Sequence, residues 1–188
     1  MPSVKSHQFS ENVIGAAYLG RVVLFALADG VIQRDDGDTV TALAAHNGTI
    51  LTTALSGDGR RLLTAGDDGR VVATDLDGEM EELAKKPGKW IDVVAGGPQG
   101  TVGYASGKMA WVRLADGTVK EFPHERAVCG LAFAPKGLRI ATATYDMART
   151  FYVTAATKPT DLAWKGAHLD VIWSPDGASV ITSMLEMA

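Results

Sequence analysis

Apolar residues in this chain come in short runs, often β-branched, and each run ends at a turn signal. Ile50–Leu55 and Arg61–Ala65 flank Ser56-Gly57-Asp58-Gly59, while Val128–Ala134 and Leu138–Thr144 bracket Ala134-Pro135-Lys136-Gly137. Gly97-Pro98-Gln99-Gly100 and Ser174-Pro175-Asp176-Gly177 repeat that kind of turn. Runs this brief predict strands, and the turns fit because proline presets φ while glycine accepts φ > 0. The glycines Gly20, Gly59, Gly100, Gly137 and Gly177 are 39, 41, 37 and 40 residues apart. A fixed period of that size marks a repeat architecture. Within a period, Asp29-Gly30 or Asp68-Gly69 supplies a second hairpin turn. Asp36-Gly37, Asp77-Gly78 or Asp116-Gly117 supplies a third. Three turns per unit mean four antiparallel strands, which is one propeller blade.

Counting along the chain predicts an all-β propeller with four full four-stranded blades and half of a fifth, an incomplete ring. The units fall at about 8–47, 48–88, 89–126, 127–167 and 168–188. Fourth strands are expected at Thr39–Ala45, Glu79–Lys85, Thr118–His124 and Thr160–Lys165. Unit five offers Leu169–Gly177 and Ala178–Ser183, with Glu186 at the position where earlier units carry an aspartate. Ser3–Ser6 falls in an outer-strand slot. Unpaired strands are thus expected at both ends, and such edges template self-association. Either the chain is the N-terminal portion of a longer closed ring, or it is a half-propeller that pairs with a second copy. The unprotected strand at Ala178–Ser183 favours the first.

A polar column keeps the same register. His7 and Asp29, His46 and Asp68, and His124 and Asp146 are each 22 residues apart, whereas unit three has Lys85 and Gly107 in those places. The stretch from Ala45 to Asp75, AHNGTILTTALSGDGRRLLTAGDDGRVVATD, resembles the WD40 repeat. His46 stands at the family's Gly-His histidine, Asp68 at its turn aspartate and Asp75 at the Asp of Trp-Asp. The tryptophan place holds Asp35, Thr74 and Tyr152 in units one, two and four. The resemblance implies a propeller of bacterial type. It also implies a hydrogen-bond network inside each blade, built from His7 and Asp29, from His46, Thr64 and Asp68, and from His124, Thr142, Asp146 and Tyr152. Its role would be structural. A catalytic triad must converge on one accessible pocket, and one copy per blade does not, so no catalytic residue is expected.

Other chemistry is sparse. Asp35-Asp36-Gly37-Asp38 and Asp67-Asp68-Gly69 are acidic, but the calcium-loop spacing ending in a bidentate glutamate is missing. Their residue types suit hairpin turns. The four histidines lie in separate units, unlike a zinc cluster. Gly103–Lys108 fails as a phosphate loop, because Val102 and Met109 occupy the first glycine and the hydroxyl positions. No metal or cofactor is expected. A net charge of −4, with no basic run longer than Arg60-Arg61 or Lys85-Lys86, argues against nucleic acid. The single cysteine, Cys129, excludes an internal disulfide, fits a reducing compartment, and is expected to be buried in a strand. Met1–Asn12 has no apolar leader core, and no apolar run approaches the ~20 residues of a membrane span. The chain is expected to be soluble and cytoplasmic. Trp90, Trp111, Trp164, Trp173, Phe122, Phe133, Phe151 and Tyr152 divide between inter-blade core and exposed interaction hot spots in a way the sequence does not sort.

These features predict a non-enzymatic scaffold for protein–protein interaction whose partner is not named by any motif. The rival is a small-ligand-binding or catalytic propeller using the central channel, with Thr52, Asp92 and Asp170 at inner-strand starts as its groups. A third reading is a truncated fragment with no function of its own.

Overall fold

The structure is a computed structural model that describes residues 4–185. Four antiparallel sheets follow one another along the chain, each ordered as it is built. Sheet one is β1 (Val13–Leu19), β2 (Val22–Leu27), β3 (Val31–Asp35) and β4 (Val40–Ala44); sheet two is β5 (Ile50–Leu55), β6 (Arg61–Gly66), β7 (Arg70–Asp75) and β8 (Met80–Lys85). Sheet three is β9 (Val93–Gly96), β10 (Val102–Ser106), β11 (Met109–Arg113) and β12 (Val119–Pro123); sheet four is β13 (Gly130–Phe133), β14 (Arg139–Tyr152), β15 (Thr160–Trp173) and β16 (Val180–Leu185). The first strands of the sheets lie side by side in chain order and form an inner wall.

The core is a series of seams between sheets. Adjacent residues on one strand point to opposite faces, so neighbouring apolar residues fill different seams. Leu62 packs toward sheet one with Leu24, Ile32 and Ile50, while Leu63 packs toward sheet three with Val94, Tyr104 and Trp111. Val93 and Val94, and Trp111 and Val112, divide in the same way between the seams flanking sheet three. This double burial explains why the middle strands read as continuous apolar runs.

Sheet four departs from the expected pattern of short strands. β14 and β15 are each 14 residues long, about twice their counterparts. β14 folds back on itself at Tyr145-Asp146. The Thr142 hydroxyl reaches the Arg149 carbonyl at 3.4 Å, the Thr144 hydroxyl reaches that of Met147 at 3.2 Å, and Asp146 has φ 67. One arm pairs with β13 and the other, Met147–Thr150, with Thr160–Ala163 of β15. The far half of β15 then pairs with β16 and lies beside β13 as the next inner strand. Four continuous strands therefore hold a whole blade and the first hairpin of a fifth.

At the N-terminal end, residues 4–9 form no strand. Instead of an outer strand over Ser3–Ser6, of which Ser3 lies outside the described residues, the segment crosses the open face of sheet one. His7 and Phe9 pack on Phe25 with ring centroids 4.8 and 5.0 Å away, and Lys5 bonds the Asp35 carboxylate at 2.7 Å. The buried Asp35 carboxylate takes a counter-charge from this segment, and the Phe25 ring takes the packing of its two rings. Glu186 lies outside the described residues. Among the described residues no helix is long and apolar enough to cross a membrane.

Candidate functional site

Blade two brings His46, Thr64 and Asp68 together. β6 delivers Thr64 at a position with no solvent exposure, the β6–β7 turn delivers Asp68, and His46 comes from the link after β4. His46 Nδ1 is 3.0 Å from Asp68 Oδ1 and Nε2 is 2.9 Å from Thr64 Oγ1. A carboxylate only accepts, so Nδ1 carries the proton, Nε2 accepts, and the Thr64 hydroxyl donates. Asp68 also accepts the backbone N–H groups of Asn47 and Arg70. Burial pushes its pKa up, but the hydrogen bonds from His46, Asn47 and Arg70 outweigh that and hold it below the usual carboxylate value. The His46 side chain is 0% exposed. Thr74, in the tryptophan place, is fully buried and its hydroxyl has no partner.

Blade four brings His124 and Thr142 together but leaves Asp146 out. His124 Nε2 is 2.8 Å from Thr142 Oγ1, and Nδ1 donates at 2.8 Å to the Phe122 carbonyl. The tautomer is that of His46, with a carbonyl in place of the carboxylate. The cause is turn length. In blade two Thr64 faces Val72, eight residues on, whereas in blade four Thr142 faces Arg149, seven residues on. A turn shorter by one residue cannot hold an aspartate where Asp68 sits. Asp146 instead accepts the Gly166 N–H at 3.0 Å, and a cavity of about 180 Å³ lined by His124, Glu125, Arg126 and Asp146 lies there. The same slip turns faces over along the strand. Phe151, not Tyr152, meets His124, with ring centroids 5.5 Å apart, while Tyr152 is exposed under the Arg139 guanidinium. Burial pulls the His124 pKa below its ordinary value, the Phe122 hydrogen bond raises it less, and Arg149 lowers it further.

Blade one does not join His7 to Asp29. The position that holds Thr64 in blade two holds Phe25 here, which offers a ring and no hydroxyl. His7 packs on that ring and turns Nε2 to Asp35 at 3.2 Å, while Asp29 caps its own turn by accepting the Val31 N–H. In unit three, Lys85 is exposed, and Tyr104 stacked on Trp111 at 5.4 Å takes the place of a network. Burial pushes the Tyr104 pKa up to about 12. Sequence reasoning missed the fourth histidine. His168 is buried with Nδ1 2.8 Å from Thr182 Oγ1 and Nε2 2.8 Å from the Trp164 carbonyl. Thr182 stands where the repeat register puts the hydroxyl, so the signal was there, but His168 is displaced from the histidine column.

The remaining candidates spread apart. A groove of about 500 Å³ along the inner wall is lined by small and apolar residues such as Ala54, Ala95, Gly96 and Ala132, and among the described residues Asp170 is its only charged side chain. Neither Thr52 nor Asp92 lines it. Cys129 is exposed and lies before β13 rather than within it, a correction that follows from β13 starting at Gly130. Partial burial and the Asp92 charge raise its thiol pKa, which disfavours the reactive thiolate. Among the described residues no three His, Cys, Asp or Glu side chains converge as metal ligands. Asp36 is a turn residue that accepts the N–H groups of Asp38 and Thr39. Among the tryptophans, Trp111 is buried, and Trp90 and Trp164 are about 70% exposed.

Sheets stacked around an inner wall, each strand pairing antiparallel with the next, define a β-propeller. The model of the WD domain, G-beta repeat, matches residues 37–73, the stretch that holds the complete His46–Thr64–Asp68 network. A chain in the crystal structure of the mitotic checkpoint complex has the same fold, with a TM-score of 0.71 and 19% identity. The match covers 92% of this chain and 58% of that one, so this chain spans little more than half its length. No curated protein matches this sequence.

Proposed function

We propose that this chain is a non-enzymatic scaffold that presents the loops between blades to a protein partner. The observation that carries this reading is the inward closure of the repeated histidines. Both ring nitrogens of His46, His124 and His168 are occupied by partners within the fold. A catalytic base needs a ring nitrogen free to take a proton from substrate, and in these three rings both nitrogens already have partners. The groove along the inner wall supports the same reading, since one aspartate among mostly apolar residues gives a ligand little to orient against. The exposed Trp90 lies on the link between sheets two and three, and the exposed Trp164 lies on β15, close to where that strand leaves its pairing with β14 for β16. Exposed tryptophans on a rigid rim are the residues most often found as binding hot spots.

The test is quantitative capture of partners from cells by the wild type and by Trp90→Ala, Trp164→Ala and Asp170→Asn. A partner lost with either tryptophan and kept with Asp170→Asn is the expected result. Loss confined to Asp170→Asn would support the channel instead and overturn the scaffold reading.

A further inference from the structure

The link between blades two and three reads Lys85-Lys86-Pro87-Gly88-Lys89-Trp90, and its backbone is tied down. Lys86 N–H donates to the Gly69 carbonyl at 2.8 Å, Lys89 N–H to that of Lys86 at 3.1 Å, and Ile91 N–H to that of Gly66 at 3.0 Å. Gly88 has φ 71, and Ile91 is fully buried just beyond the loop. A side chain at Gly69 would collide with the Lys86 carbonyl, so the loop and the turn beneath it are in close contact. On this fixed loop Trp90 is 69% exposed. Lys85 and Lys89 are exposed, and Lys86 lies 4.6 Å over the Trp111 ring. Among the described residues none of the three lysines has an ion-pair partner.

We infer that this loop is a docking site for a short acidic segment of a partner protein that also carries an apolar residue to lay against Trp90. The inference rests on the scaffold reading and deepens it by naming the partner's chemistry. A preformed loop loses little conformational freedom on binding, which favours affinity from a small surface. Unpaired cations beside an exposed indole are complementary to carboxylates flanking an apolar side chain. Longer polyanions fit worse. Asp67 and Asp68 stand on the adjoining turn, Asp92 follows two residues after Trp90, and the whole chain carries −4. A nucleic acid strand or an anionic bilayer extends past the three lysines and meets those carboxylates, whereas a segment of a few residues does not. One indole, rather than a file of aromatics along a groove, also differs from a single-strand stacking platform.

The test uses the full chain and four probes in fluorescence anisotropy and sedimentation. They are a labelled peptide centred on Asp-Glu-Phe-Glu-Asp, its Asn-Gln-Phe-Gln-Asn counterpart, single-stranded DNA of similar length, and phosphatidylserine vesicles. The acidic peptide should bind with Kd on the order of 10–100 µM at low salt, and the neutral one at least tenfold more weakly. The double charge reversal K85E/K89E should weaken the acidic peptide tenfold or more, and Trp90→Ala threefold or more, with unchanged melting temperatures. Binding that ignores both variants, no binding of the acidic peptide, or equal binding of DNA or vesicles to the patch would overturn the inference. If K85E/K89E keeps the cellular partner while Trp164→Ala loses it, the acidic-segment site falls and the scaffold stands. If neither loses it, the scaffold reading falls as well.

Discussion

His46 and His124 occupy equal places in the repeat and do different work. His46 is clamped between a hydroxyl and a carboxylate, while His124 has a hydroxyl and a carbonyl and leaves Asp146 on the far side of a cavity. A double-mutant cycle on His46→Ala and Asp68→Ala should show a coupling of about 1–2 kcal/mol, as contacting partners do. The same cycle on His124→Ala and Asp146→Ala should be additive within about 0.5 kcal/mol; urea melts of the single and double variants decide both. The two rings also differ in acid. His124 is held neutral by burial below its ordinary pKa of 6.5, so the unfolded chain binds its proton first as pH falls. Its contribution is complete above that value and declines below it. Stability should therefore fall between pH 7.5 and pH 5.5 more steeply in the wild type than in His124→Gln, measured by the urea midpoint. What the sequence could and could not show divides along the same line. Residue type and spacing were enough for His46, Thr64 and Asp68, because the turn joining them has the repeat's usual length. They were not enough for Asp146, because an equal interval along the chain does not show a turn tightened by one residue. Phe25 in the hydroxyl place was a visible warning that His7 would go elsewhere.

At the scale of elements, glycines that look alike in the turns carry unlike burdens. Gly57 sits where a Cβ would strike the Gly97 carbonyl of the neighbouring blade, while Gly59, two residues later, has open space and φ 68. Gly57→Ala should cost about 2–3 kcal/mol by overpacking an inter-blade contact, and Gly59→Ala about 1 kcal/mol by backbone strain alone. Thermal melts that rank the two the other way would show that the seam between sheets two and three can open to admit a methyl group. The strands themselves were legible because each is bounded by a Gly, Pro or Asp turn. The fusions at β14 and β15 were not. Tyr145-Asp146 lacks a glycine where Asp68-Gly69 has one, yet Asp146 still takes the left-handed turn conformation.

At the scale of the whole molecule, the sheets are braced on both faces only in the middle of the row. Beyond β16 the described residues supply no further strand, and Ile172, Ile181 and Leu185 are more than half exposed there. An uncharged edge strand, Val180–Leu185, has none of the lysines or prolines that discourage edge pairing. Light scattering should find this polypeptide self-associating as its concentration rises, and Ile181→Lys should reduce that while leaving the melting temperature within about 2 °C, a surface-sized effect. Equal scattering from both proteins would move the contact away from this edge.

Sheet one meets the same exposure with its own N-terminal segment, and this constrains how the sequence can change. Asp35 is 3% exposed, and its acidity is strengthened by the Lys5 hydrogen bond, the Gly37 N–H and the nearby His7. An acid is tolerated at a position of the blade otherwise taken by large or neutral side chains only because residues outside the sheet supply its counter-charge. The three positions are therefore epistatic. Lys5 and His7 look like dispensable residues of a tail, yet neither can drift freely while Asp35 remains, and a lineage must neutralise position 35 before it can lose the residues that precede its first strand.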